Sequence, residues 1–497
     1  MSGAAADLLP STVSLDRSSG LRVAIIGAGI SGIAAAYYLK RAKLDNFLIL
    51  ESASAAGGTW RANSYPGARV DVACHLYSFS FNKNDWTQRF CSQLELKGYL
   101  EKTIDEFGLR THLRFDAKVV SATWSDERKL YTLAFADGRT AEFEAIISCV
   151  GIFNVPLIPA GIDVAAYPGI VCHTSRWRDD IRLDGMRVGV VGTGSSAVQV
   201  IAEAAKVAQS VTIFQRAPTW VVPKRNRSFT AAQRARYQRS WQYRYKSVRE
   251  YLRFERIKLG GPERLGSRTN LRMQAIAEMH LKKSLAGRED LVQKLTPEHP
   301  IGAKRAVASD DYYPATLRSN VTIAPAMERL DERGLIDVDG KRHDLDIVVL
   351  ATGFRAADYL SQLKIAGREG ADLHETWNGE PSAYLGTCVP GFPNFFMLYG
   401  PNSNSGTLVF LLECQARLAA DSLAEMAHRN AATVEVKASA FESFNRWVQQ
   451  KMQGSVYTAA KNYYTAPSGR IVTQWPFSAT RFWWMCRSKR SKSMTFS

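Results

Sequence analysis

No stretch of this chain approaches the roughly 18 consecutive apolar residues that a membrane helix needs. Its 7 cysteines include no CxxC pair, and an odd count without that spacing argues against a disulfide scaffold, a zinc ribbon or a dithiol reductase. No zinc finger, RNA-recognition signature or basic heptad accompanies the positive charge, so no nucleic-acid partner and no metal site are expected. The first 20 residues lack the basic start and long apolar core of a signal peptide and read as a flexible lead-in. Free thiols and no export signal together predict a reducing, cytoplasmic setting.

What is present is size and local charge. At 497 residues the chain exceeds one ordinary core, so two or three domains are expected. Hydrophobic residues at 46% and charged residues at 22% describe a globular protein. The formal net charge is +17, and much of it lies in the segment 223–300, where nineteen Lys/Arg stand against seven Asp/Glu. Such a run reads as the solvated face of helices. Tyr237, Trp241, Tyr245, Val248 and Leu252 recur there at three- and four-residue spacing, and that stripe is expected to pack into a core.

Two glycine-rich signatures carry the chemistry. Arg22–Ile26 reads as a strand running into Gly27-Ala-Gly29-Ile-Ser-Gly32 and then a helix from Ile33. A second strand, Asn46–Leu50, ends at Glu51. Strand, glycine turn, helix and an acid about 20 residues on form a dinucleotide fingerprint: the turn lets the backbone approach a pyrophosphate and the helix N-terminus faces it. Glu51 suits a ribose diol, so this site fits FAD or NAD. Gly57-Gly58-Thr59-Trp60 and Tyr65-Pro66-Gly67-Ala68-Arg69-Val70-Asp71 follow as irregular loop, where reactive groups tend to sit. Asp71 also suits the cap of a helix after it.

A concealed repeat places the second signature. DGRTAEFEAIISCVG ends at Gly151 and DGKRHDLDIVVLATG at Gly353. Each is a hairpin turn, a polar strand, an acid and an apolar strand stopping at glycine, as if the chain left and re-entered one domain at these points. Between them, strand Arg187–Val191 leads into Gly192-Thr193-Gly194-Ser195-Ser196-Ala197, a helix, and strand Val211–Phe214. At the offset that holds Glu51 in the first copy stands Arg216. A guanidinium there grips a ribose 2′-phosphate that a carboxylate would repel, which assigns NADPH to this site. The expected fold is therefore α/β, with two Rossmann-like dinucleotide-binding domains, the second inserted in the first, and a helical excursion. Its parts are a flexible N-terminus (1–20), the first domain (21–154 and 351–480), the inserted domain (155–222 and 301–350), the helical insertion (223–300) and a basic C-terminal tail (481–497).

Between the signatures runs Tyr167-Pro-Gly169-Ile-Val-Cys-His173-Thr-Ser-Arg-Trp177. With Lys304-Arg305 and Asp310-Asp311-Tyr312-Tyr313, this chain resembles the type I Baeyer–Villiger monooxygenases, and within them the subgroup like 4-hydroxyacetophenone monooxygenase. The family fingerprint is Phe-x-Gly-x-x-x-His-x-x-x-Trp followed by Pro or Asp. Gly169, His173 and Trp177 match it, while Tyr167 replaces Phe and Arg178 the last residue. The likeness extends from about residue 20 to 476, through Gly353-Phe354, Phe392-Pro-Asn394 and Gly400-Pro401-Asn402. Near its end the usual Ser-Trp-Tyr is Asn462-Tyr463-Tyr464.

The resemblance implies an FAD- and NADPH-dependent enzyme that takes O2 and a small ketone to an ester or lactone through a C4a-peroxyflavin. It implies Arg305 as the catalytic arginine, Asp71 as its carboxylate partner, and Lys304 as a second contact to the 2′-phosphate. Gly58, Thr59, Trp60 and Asn402 would lie along the flavin, and His173 would couple the domains or orient NADP⁺. N- or S-oxygenation and a non-catalytic redox-sensing flavoprotein are the competing expectations. The tail 481–492, with adjacent tryptophans among basic residues, reads as a partly packed, partly disordered end, with membrane-surface contact the lesser alternative.

Overall fold

The computed structural model describes residues 20–164, 167–488 and 490–497. The expected lead-in, but for Gly20, lies outside the described residues. Two five-stranded parallel sheets organise the α/β fold. The first runs in the order Phe395–Met397, Ala145–Ser148, Val23–Ile26, Phe47–Leu50, Leu113–Arg114. The second runs Ile170–His173, Ile347–Leu350, Arg187–Val191, Ser210–Phe214, Val321–Ala324. The central strands are short runs of Val, Ile, Leu and Ala buried along their length, as strands covered on both faces must be. Slot for slot the sheets correspond, so Ile170–His173 occupies in the second sheet the place of Phe395–Met397 in the first.

The repeated hairpins supply matching neighbours. Ala145–Ser148 lies beside the first nucleotide strand and Ile347–Leu350 beside the second. The acid before each now has a physical role. Glu144 accepts the Arg22 backbone N–H at 2.9 Å and pairs with its guanidinium at 2.5 Å. Asp346 does the same for Arg187, at 2.8 and 2.7 Å. Each carboxylate thus pins the start of a nucleotide strand against its neighbour with charge-assisted bonds.

Both turns that follow need glycine. Gly27 and Gly192 sit at φ +108° and +119°. A Cβ would come 2.7 Å from the Cys149 carbonyl oxygen in the first and 2.5 Å from that of Ala351 in the second. The first helix, Ile30–Arg41, begins a turn earlier than the expected Ile33 because Gly29 is its N-cap. The second is Ser195–Val207, capped by Gly194.

Where the chain crosses between sheets, the two crossings lie side by side. Pro156 and Phe354 form an antiparallel bridge. The Leu157 N–H donates to the Gly353 carbonyl at 2.9 Å and that of Arg355 to Val155 at 3.0 Å.

Two expectations are corrected. The stripe on the excursion helix Ser240–Leu259 faces solvent rather than a core: Trp241 is 63% exposed, Tyr245 59%, and Val248 and Leu252 53% each. The inward face buries polar groups, Gln242, Lys246, Glu250 and Glu255, beside the core residue Tyr243. The C-terminal residues are also more ordered than a tail. Helix Ala479–Ser488 buries Phe482, Met485 and Cys486, and strand Met494–Phe496 pairs with Val434–Val436. No helix among the described residues is long and apolar enough to cross a membrane.

Candidate active site

At the first glycine turn the Glu51 side chain is buried and accepts the Ala28 N–H at 2.8 Å and the Ala53 N–H at 2.9 Å. Oε1 also accepts the Ser52 hydroxyl at 3.3 Å, and Oε2 keeps a lone pair for a diol. Gly29 and Gly58 face one another so closely that a Cβ on Gly58 would lie 3.0 Å from the Gly29 Cα. Thr59 and Trp60 open a short helix, Thr59–Ala62, directly behind this contact, and the Trp60 indole reaches the Tyr77 hydroxyl at 3.3 Å. Two glycine loops closed on each other at a helix N-terminus make a narrow cradle for a pyrophosphate.

Asn402, expected beside the flavin, staples its own loop. It is buried at φ +55°, and its amide hydrogens donate to the carbonyls of Ile471 and Gln474 at 2.9 and 3.1 Å. Nor does it cap the following helix, Leu408–His428, whose N-cap is Thr407. What this loop offers a ligand is backbone.

At the second turn Thr193 is turned back, its hydroxyl donating to the Ala217 carbonyl at 2.9 Å. The helix behind it has no acid in its first turn. Beyond the strand end, Arg216 and Lys304 lie near enough that Arg216 lowers the Lys304 pKa, after burial as the larger cause. Neither makes an ion pair among the described residues. Two adjacent cations without a carboxylate, at the far end of a glycine turn, form an anion site of the reach a 2′-phosphate requires.

Asp71 and Arg305, 234 residues apart in the chain, form an ion pair. No helix follows Asp71, so it caps none. Its Oδ2 accepts from an Arg305 Nη at 2.5 Å. The Arg305 side chain is 42% exposed yet ringed by protein: the hydroxyls of Tyr463, Tyr464 and Tyr399 act on its charge. The Arg305 charge is therefore held among Asp71 and tyrosine hydroxyls while its side chain stays partly exposed. Burial pushes the Asp71 carboxyl up, but Arg305, with Lys224 behind it, overrides burial and holds it below the usual carboxylate range.

Three supports of this pair carry no sequence motif of their own. Burial brings Lys224 down to about 8 against the pull of Asp71, and its loop is fixed by Asp310, which accepts the backbone N–H groups of Lys224, Arg225 and Asn226. Asn462 donates to the Ala303 carbonyl at 2.8 Å, tying the tyrosine segment to the arginine loop. Gln199, on the second nucleotide helix, donates to the Arg69 carbonyl at 3.0 Å, and its Oε1 lies 3.0 Å from the Tyr65 hydroxyl. Ser196 lies 3.2 Å from the same hydroxyl. The loop carrying Asp71 is therefore clamped onto the second domain.

His173 ends the edge strand of the second sheet, apart from the Arg305 pair. The Gly353 carbonyl, 3.1 Å from Nε2, can only accept, and Nδ1 accepts the Ser175 N–H at 3.2 Å. These bonds fix one neutral tautomer, and burial lowers the pKa further. Gly353 is the residue of the return crossing, and Phe354 packs edge-on against the imidazole at 5.4 Å. Gly169 is required by close approach: a Cβ would lie 2.5 Å from the Tyr167 ring, whose hydroxyl donates to the Leu345 carbonyl at 2.8 Å. Trp177 packs half-buried against the second core, and Arg178 pairs with Asp180 at 3.0 Å.

Two glycine turns, one with an acid and one with cations at its far end, together with an arginine–carboxylate pair, are the parts of a two-dinucleotide oxidoreductase. A family profile for NAD(P)-binding Rossmann-like domains matches residues 25–94, and one for L-lysine 6-monooxygenase/L-ornithine 5-monooxygenase matches residues 71–254. The chain is 35% identical over 472 residues to a Baeyer-Villiger monooxygenase of Pseudomonas aeruginosa, covering 93% of this chain and 88% of that protein. It is 32% identical over 491 residues to the FAD-binding monooxygenase ktnD of Aspergillus niger, covering 93% and 79%. The crystal structure of cyclohexanone monooxygenase from Rhodococcus sp. Phi1 bound to NADP+ superposes with a TM-score of 0.88 at 26% identity, over 96% of this chain and 99% of that one. The chain belongs to the Baeyer–Villiger monooxygenases.

Proposed function

We propose that this monooxygenase holds FAD at the Glu51 turn and NADPH at the Arg216 turn, and inserts one oxygen atom of O2 beside the carbonyl of a small ketone, giving an ester or lactone. The observation that carries this reading is the Arg305–Asp71 pair, which joins a loop of the first domain to a loop of the second. Residues 21–154 and 351–480 form the FAD domain, and 155–222 with 301–350 the NADPH domain. When bound, NADPH supplies hydride, and FAD, once reduced, activates O2.

The protein's own contribution is charge and position. Arg305 sets a fixed positive charge where negative charge develops on the ketone oxygen as it is attacked, and Asp71 orients that guanidinium. Keeping Asp71 ionised by Arg305 and Lys224 means that it accepts hydrogen bonds and has no proton to give. Arg216 and Lys304 hold the 2′-phosphate. His173, neutral and doubly bonded, supports the domain crossing and takes no part in proton transfer. Tyr399, Tyr463 and Tyr464, whose hydroxyls act on the Arg305 charge, suit a flat cyclic or aryl ketone, in keeping with a 4-hydroxyacetophenone monooxygenase-like subgroup. A reducing, cytoplasmic setting suits the seven free, buried thiols.

Replacing Arg305 with Ala is expected to leave NADPH-dependent flavin reduction intact and lower ester formation by about 10²–10³, the range for losing one oxyanion donor. Equal ester formation removes the role given to Arg305. The profile match to the lysine and ornithine monooxygenases favours one second reading, oxygenation of amine nitrogen. Product analysis with ketones and amines side by side decides between them: oxygen gained on amines alone rejects the ketone assignment.

A further inference from the structure

The helix Ser240–Leu259 is turned inside out. Its solvent face carries Trp241, Tyr245, Val248 and Leu252 as one seam, since steps of four, three and four residues return to the same side of a helix. Arg244 borders the seam on one side, and Arg249, Arg253 and Arg256 on the other; all four are exposed. None makes an ion pair among the described residues. Both carboxylates of this helix point inward instead. Glu250 is paired with Lys246 at 2.7 Å and with Arg89 at 3.1 Å, and Glu255 accepts the Ala479 N–H at 2.9 Å and the Thr480 hydroxyl at 2.9 Å.

These buried pairs fix the rotation of the helix. Turning it to bury the seam would take Glu250 from Arg89 and Glu255 from Ala479 and Thr480, leaving these groups without their partners. The outward face therefore consists of apolar and cationic side chains with no acid among them. The next helix, Arg268–Ser284, also exposes Leu271, Ile276 and Met279 beside Arg268, Arg272 and Lys282, but carries the half-buried Glu278 two turns from Leu271.

We propose that the outward face of Ser240–Leu259 docks on an anionic lipid bilayer surface, its aromatic and aliphatic seam entering the headgroup boundary and its arginines meeting lipid phosphates. Charge decides against a second copy of the chain. Pairing this face with itself about a two-fold axis would bring arginines against arginines, whereas an acidic membrane complements them at every position. Trp and Tyr at the N-terminal end of the seam match the amphipathic depth of that boundary. This inference is independent of the reaction assigned above.

The test uses the full chain with its cofactors, sedimented with vesicles of phosphatidylcholine alone or of phosphatidylcholine with phosphatidylserine. The protein is expected to sediment with the phosphatidylserine vesicles only, and to be released by salt. Arg249→Glu with Arg253→Glu should weaken partitioning by about fivefold or more per arginine. Trp241→Ser with Leu252→Ser should weaken it through the apolar part at unchanged charge. Both variants should keep the wild-type turnover of a water-soluble ketone, which shows that they fold. No sedimentation of the wild type with anionic vesicles overturns the proposal, as does wild-type partitioning by Trp241→Ser/Leu252→Ser. A dimer in light scattering that these substitutions dissociate, without vesicle binding, assigns the face to a second copy and overturns it equally.

Discussion

Arg216 and Lys304 are two cations held together without a carboxylate, which is unfavourable unless an anion joins them. Arg216→Glu is therefore expected to raise the Michaelis constant for NADPH by roughly 10- to 100-fold, the worth of a charge-assisted bond, and to leave that for NADH nearly unchanged. Steady-state kinetics with the two nucleotides measure it, and a parallel rise for both removes the 2′-phosphate from Arg216. This residue was legible in the sequence because its place follows from an offset within one strand–turn–helix–strand unit. Lys224, Gln199 and Asn462 were not legible. Each acts on a partner far away in the chain, Asp71, Arg69 and Ala303, and no local spacing encodes an approach made by tertiary packing. Asn462 left a trace only as a departure from the family's Ser-Trp-Tyr. The bonds of the Asn402 amide to the Ile471 and Gln474 carbonyls were not legible either, because their partners lie 69 and 72 residues on in the chain.

At the scale of elements, periodicity predicted the long basic helix but not which way it faces. An apolar stripe at helical spacing is equally a core face or a docking face. What settles the direction is the ion group Lys246, Glu250 and Arg89, whose members come from two segments. His75 sits in the same dock, in ring contact with Phe229, Tyr237 and Tyr243 of the excursion, its Nε2 buried without a partner. Burial lowers its pKa to about 4, with Lys246 adding to the effect and Glu250 opposing it. An unfolded histidine titrates near 6.5. The unfolded chain thus takes up a proton between those values that the folded chain refuses, so stability present above pH 6.5 is lost as pH falls toward 4. Between pH 7 and 5 this site should account for about 2 kcal/mol. Urea unfolding of the wild type and of His75→Phe at the two pH values checks it: the loss should shrink by that amount in the variant, and an identical loss in both refutes the assignment.

For the molecule as a whole, the two sheets share one strand order and an equivalent anchoring ion pair; the repeated hairpins marked where the chain crosses between the sheets, but neither the order nor the pairs. The relative placement of the sheets was not legible either, because it rests on the Gln199 clamp and on the paired crossings. Gln199→Ala is expected to leave the dissociation constant for NADPH unchanged while slowing flavin reduction by about 10- to 100-fold, since misplacement of the order of 1 Å is costly to a transfer between two bound groups. Stopped-flow reduction at saturating NADPH reports it, and wild-type rates would show that the clamp does not set the alignment.

The side-by-side crossings at Pro156 and Phe354 also bear on how the chain assembles. The inserted unit is continuous in sequence, so it folds from its own contacts and in doing so draws residues near 155 and 355 together. Closing a loop of that length otherwise carries an entropy that grows as about (3/2)RT ln n. The strand Phe395–Met397 then meets Ala145–Ser148 across a gap already shortened, so the kinetics of the outer domain are expected to follow those of the inner one.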